Sequence, residues 1–152
     1  MAYQTRSEHE LSTELFERIG DAVSVDRVGE RVGDDVERRG RCHENVARWL
    51  EEHPLDGPAR GWLVDRSQQQ NGFVEFHAHS VVATACGALM DITLGKADPD
   101  YPFLLDGRSD GEFLVLTRRH PTLRHVVDQA RYGVFQLAVE HALLYGDFDT
   151  PD

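Results

Sequence analysis

Residues 73–94 read Phe73-Val74-Glu75-Phe76-His77-Ala78-His79-Ser80-Val81-Val82-Ala83-Thr84-Ala85-Cys86-Gly87-Ala88-Leu89-Met90-Asp91-Ile92-Thr93-Leu94. Their alternation predicts a strand over 73–84 and its hairpin partner over 88–94, joined by Ala85-Cys86-Gly87. A period of two places Phe76, Ala78, Ser80 and Val82 on one face and Glu75, His77, His79 and Val81 on the other. The turn then decides what Asp91 meets. A three-residue loop at Ala85-Cys86-Gly87 sets Val81 level with Asp91 and makes His79 its diagonal neighbour. A two-residue Cys86-Gly87 loop puts residues 79 and 91 on opposite faces.

Upstream of the hairpin, residues 42–53 read as a helix with Val46, Trp49 and Leu50 on one stripe, stopped at Pro54. Residues 8–20 predict another, with Leu11, Leu15, Phe16 and Ile19 at helical spacing, Ser7 as its cap and Gly20 at its end. The valines from Val23 suggest a weaker helix through Glu37. Leu55 to Ala59 reads as a loop, Arg60 to Asp65 as a strand, and Ser67 to Gly72 as a polar turn. Downstream, Pro99, Pro102 and Gly107 mark an irregular loop over 98–111. Phe113 to Thr117 reads as a strand and Pro121 to Leu144 as a long helix. Helices, then a small antiparallel sheet, then a closing helix make an α+β fold. The 152 residues are expected to form one domain: a helical N-terminal extension over 1–38, a core over 40–120 and a closing helix over 121–145.

Sixteen basic against 27 acidic residues give a net charge of −11. That field disfavours nucleic acid and anionic membrane surfaces as partners. No apolar run approaches ~18 residues, and the N-terminus has no apolar signal core, so a cytoplasmic setting is expected. There the two cysteines stay reduced, and two are too few for a four-cysteine zinc module.

Three polar residues stand where a core pattern does not ask for them. Cys42 opens a helix beside Arg38, Arg39 and Arg41, with Gly40 allowing a sharp turn just ahead of it. Helix dipole and arginines both favour thiolate over thiol, as a nucleophile requires. His79 is placed to act as general base and Asp91 to orient its imidazole. His77 is an alternative base. His77, His79 and Cys42 also admit a second reading as metal ligands. No cofactor is otherwise implied, and the sequence leaves the oligomeric state open.

The order Cys42-His43-Glu44-Asn45-Val46, Gly61-Trp62, His79-Ser80-Val81-Val82 and Met90-Asp91-Ile92-Thr93 resembles that of the papain-like and transglutaminase-like cysteine enzymes. The likeness spans about residues 40–95. It implies a nucleophile helix packed on a small antiparallel sheet, with Cys42 as nucleophile, His79 as base and Asp91 as orienting acid. It also implies thiol-dependent hydrolysis or acyl transfer at an amide of a peptide or protein, or a non-catalytic interaction domain of the same fold. Papain-like peptidases carry an upstream Gln in the oxyanion hole, which has no counterpart here. The Cys42 backbone N–H, Asn45 and one of Gln68, Gln69 and Gln70 are the alternatives. Asn45, Trp62 and Gln70 are thus candidate substrate or oxyanion contacts.

Overall fold

The computed structural model describes residues 6–31 and 40–146. The hairpin forms as its alternation demands: β3 spans Phe73–Ala83 and β4 spans Leu89–Asp91. Val82 pairs with Met90 and Ala83 with Leu89, so Val81 is level with Asp91. Thr84 N–H bonds to Ala88 C=O, and Gly87 N–H returns to Thr84 C=O, both at 2.8 Å. Gly87 sits at φ 85°, a left-handed position that a three-residue hairpin loop needs at its last residue.

Among the described residues, six strands form one mixed sheet in the order β1-β4-β3-β2-β5, with β6 also on β3. β1 is Asp26–Arg27, β2 is Gly57–Asp65, β5 is Phe103–Leu105 and β6 is Thr122–Val126. The fold is α+β, but the sheet is not purely antiparallel, because β1 runs parallel to β4. β2 occupies one edge of β3 along residues 75–83. β6 and β4 therefore share the other edge, β6 at residues 73–77 and β4 at 82–83. Between them lies a short stretch of β3 edge that no strand of the described residues covers.

Helices α1 (Arg6–Glu17), α2 (Cys42–Glu52) and α3 (Asp110–Arg119) cover the even-numbered face of β3. Leu11 and Leu15 of α1 and Phe113 of α3 pack with Trp62, Val64, Phe76, Leu104 and Leu123. Val46 of α2 packs with Val28, Val82 and Ile92. The odd face carries a smaller cluster of Ala59, Leu63, Val81 and Phe103, with Leu94 and Tyr101 packed against it from the loop after β4.

Five expected features differ. The stretch after Val23 is no helix: it holds β1 and one 3-10 turn at Gly29–Arg31, and residues 32–39 lie outside the described part. Val28 N–H bonds to Asp91 C=O and Gly29 N–H to Leu94 C=O, so β-branched valines here serve a sheet edge. Ser7 lies inside α1 rather than capping it. Residues 113–117 form helix, not strand. The Ser109 hydroxyl caps it by accepting Glu112 N–H, with Asp110 and Glu112 in the first turn and Arg118 and Arg119 in the last. Phe113 and Thr117, one turn apart, supply its buried face.

The expected irregular loop contains β5, whose backbone pairs with Gly61–Leu63. The long closing helix is divided. Residues 122–126 form β6, with Leu123 in the core, and α4 runs only over Gln129–Tyr145. The Asp128 side chain starts it by accepting Arg131 N–H.

Gly61 lies opposite His79, and a Cβ there would meet Leu104 O at 2.2 Å and the Phe103 ring at 2.7 Å. Gly61→Ala should therefore destabilise by about 1–3 kcal/mol through overpacking. Gly111→Ala, with open space around it in α3, should be neutral or stabilising by up to about 1 kcal/mol. Denaturant melts of the two variants check the contrast; equal effects would contradict the close β2–β5 approach.

Candidate active site

α2 brings its first turn to the uncovered stretch of β3. Gly40, at φ 75°, turns the chain just before it. The Arg41 side chain makes no capping bond at this terminus, and the first intrahelical bond runs from Asn45 N–H to Arg41 C=O at 2.8 Å. The N–H groups of residues 42–44 precede that bond, so partial positive charge collects beside Cys42. Cys42 thus comes from the helical side of the sheet, while His79 and Asp91 come from the odd face.

His79 is 4% exposed and Asp91 2%. The imidazole Nε2 donates to Asp91 Oδ2 at 2.7 Å. The other carboxylate oxygen accepts the N–H groups of Thr93 and Leu94, each at 2.9 Å. One carboxylate therefore both orients the histidine and closes the following turn. With Nε2 committed, Nδ1 is the nitrogen left to serve Cys42.

Burial alone pushes the Cys42 thiol upward, but hydrogen bonds and charge from His43 and His79 outweigh it and bring the thiol down to about 6. Burial likewise pushes His79 down, yet the Asp91 carboxylate, with Cys42 in support, holds it up to about 9. The two shifts, thiol down and imidazole up, favour a thiolate–imidazolium pair at neutral pH. His43 and His79 provide this lowering of the thiol among the described residues. Arg38 and Arg39 lie outside the described residues.

His43 and Ser80 were not singled out by their sequence pattern. His43 Nδ1 lies 3.7 Å from Cys42 Sγ and hydrogen-bonds Ser80 Oγ. Ser80, wholly buried, also accepts from Arg60 Nη1 at 2.8 Å. Arg60 in turn lies 3.6 Å from Asp110. Arg60 can only donate, so it fills one lone pair of the hydroxyl. The second lone pair can receive the proton of His43 Nδ1, which the neighbouring thiolate also favours on that nitrogen. The available sign in the sequence was Ser80 itself, a hydroxyl on the helix-covered face of a core strand.

The other expected residues fall in varied places. His77 engages Asp65 through Nε2 at 2.9 Å and Thr122 through Nδ1 at 3.2 Å, so both nitrogens are occupied. Asn45 donates to Thr93 Oγ1 at 3.0 Å and fastens α2 to the turn after β4. Trp62 is no substrate contact: it is wholly buried and gives its indole N–H to Asp106 at 2.9 Å. Gln70 sits in the exposed turn before β3, about 20 Å along the strand from His79, and does not line the cleft. Among the oxyanion alternatives, the Cys42 N–H is the one at the site.

Cys42, His43 and His79 open onto a cleft of about 640 Å³ whose walls include Ala47, Leu63 and Leu114. Among the described residues, no three His, Cys, Asp or Glu side chains converge to hold a metal ion. Both cysteines are free, and no helix among the described residues is long and apolar enough to cross a membrane. Compared with protein-family models, curated proteins and solved structures, the chain finds no match in any of the three.

If His43 supports the thiolate, His43→Phe should move the pH midpoint of Cys42 alkylation upward, and Ser80→Ala should move it the same way by less. Iodoacetamide rates against pH give the readout. The Cys86→Ser background is needed because Cys86 is exposed and the Thr84 hydroxyl lowers its thiol too. An unchanged midpoint in His43→Phe would remove His43 from the site.

Proposed function

We propose that this chain is a papain-like or transglutaminase-like cysteine enzyme that cleaves or transfers an acyl group at an amide bond. The observation that carries the reading is the buried Asp91–His79 bond, which leaves the other imidazole nitrogen free of the carboxylate, in one cleft with a thiol at the first turn of a helix. Each part has its task in such a reaction. Cys42 Sγ attacks the carbonyl carbon, and the Cys42 N–H faces the oxyanion that forms. His79 Nδ1–H gives its proton to the departing amine as the C–N bond breaks, leaving a thioester. Water then attacks the thioester carbon, losing a proton to His79, and the thiolate leaves. A second amine in place of water gives transfer instead of hydrolysis. Asp91 holds the imidazole in the required orientation and offsets its charge throughout. A peptide or protein amide suits the cleft, whose apolar walls shield the sulfur while leaving it reachable.

A peptidyl vinyl sulfone, an amide mimic that alkylates catalytic cysteines, tests this. It should modify Cys42 in wild type and fail to do so in His79→Ala. Asp91→Asn should slow modification by roughly 10²–10⁴-fold, because the amide keeps the turn but favours the wrong tautomer. Asp91→Ala should also lower thermal stability, since the buried Thr93 N–H and the part-buried Leu94 N–H lose their acceptor. Labelling that ignores His79→Ala would sink the triad.

The pH dependence has a defined sign. Activity should rise as Cys42 ionises near pH 6 and fall as His79 loses its proton near pH 9. A kcat/KM profile rising only above pH 8, once a substrate is found, would contradict a preformed ion pair.

A further inference from the structure

α4 leaves most of its apolar side chains in water. Val134 is 68% exposed, Leu137 67% and Leu144 74%. A helix apolar on all sides is ordinarily buried on all sides. Its inner side is accounted for: Phe73 packs on Tyr132 and Phe135, with ring centroids 5.5 and 5.0 Å away. On the outer side, Ala130, Val134, Leu137, His141 and Leu144 follow at steps of four, three, four and three. That is a heptad seam, the spacing by which one helix packs along another, with one polar residue to fix register. Gly133 and Ala138 beside the seam leave room for close approach, and Tyr145 extends its apolar surface.

We infer that α4 is a self-association surface through which two copies of this chain pair about a two-fold axis. The seam is its own complement, as a two-fold interface requires. Charge points the same way. The chain carries −11, yet α4 holds only Arg131 and Glu140 among Asp, Glu, Lys and Arg. Two copies meeting here bring few like charges into direct contact. The area is sufficient for a weak dimer. Side chains of this size lose ~60–120 Å² each on burial. Val134, Leu137, His141, Leu144 and Tyr145 then contribute ~500 Å² per copy, or ~1,000 Å² per pair, the lower bound of a specific interface. The dimer is therefore concentration-dependent.

Sedimentation velocity on the full chain, from low to high micromolar, reads this independently of any chemistry at Cys42. Wild type should shift from monomer toward dimer with concentration. Leu137→Glu and Leu144→Glu, both at exposed positions, should each stay monomeric with unchanged circular dichroism and unchanged Cys42 labelling. A wild type that is monomeric at every concentration overturns the inference. So does a dimer that persists in both variants, which would lie on another face. Co-flotation of monomer with phosphatidylglycerol vesicles, lost in the same variants, would assign the seam to a membrane instead.

Discussion

An imidazolium almost out of contact with water cannot stand without a counter-charge, and the His79–Asp91 bond supplies it at 2.7 Å. Burial opposes the charged state of His79, and the carboxylate, with Cys42 in support, reverses that. The turn after β4 depends on the same carboxylate through Thr93 and Leu94. The carboxylate in turn depends on hairpin register. One residue fewer in the loop would send Asp91 to the other face, where Val82, Met90 and Ile92 already fill the core. A single glycine conformation at position 87 thus stands behind both the packing and the ion pair.

The sheet contributes by what it omits. The pairing of β6 stops at His77 and that of β4 begins at Val82, so the helix terminus meets β3 where no strand of the described residues intervenes. Residues from the two faces can then converge: His79 from one, and Ser80 with His43 from the other. β3 carries a second histidine–carboxylate pair, His77 with Asp65, two residues away on the same face. Both ring nitrogens of His77 are taken, whereas His79 keeps one for sulfur. That difference in partners separates the two histidines, which sequence spacing alone does not.

Where one periodicity was unopposed, the chain was legible. The 42–53 stripe, the 73–84 alternation and the turn at Ala85-Cys86-Gly87 all concern local geometry, and the structure follows them closely. Short apolar runs were not. Phe113 to Thr117 fits both periods, and its fate was decided by the Ser109 cap and the flanking charges. In 121–127, strand pairing with β3 overrode a helical pattern that continues only after the Asp128 cap. His43 and Ser80 were hidden for a different reason. Their meeting depends on how α2 lies across the sheet, a tertiary fact with no spacing of its own. Trp62, a candidate contact only through the family-like Gly61-Trp62 pair, follows its apolar pattern into the core, where its indole is spent on Asp106.

Cys42 existing as a thiolate at neutral pH is the condition for everything assigned to the cleft. Ultraviolet thiolate absorbance, titrated against pH in Cys86→Ser and corrected by subtracting Cys42→Ala/Cys86→Ser, measures that condition with no substrate. A midpoint near pH 6 that moves upward in His79→Ala is the result required of a preformed thiolate–imidazolium pair. A midpoint at the ordinary thiol value of about 8.5, indifferent to His79, would contradict it.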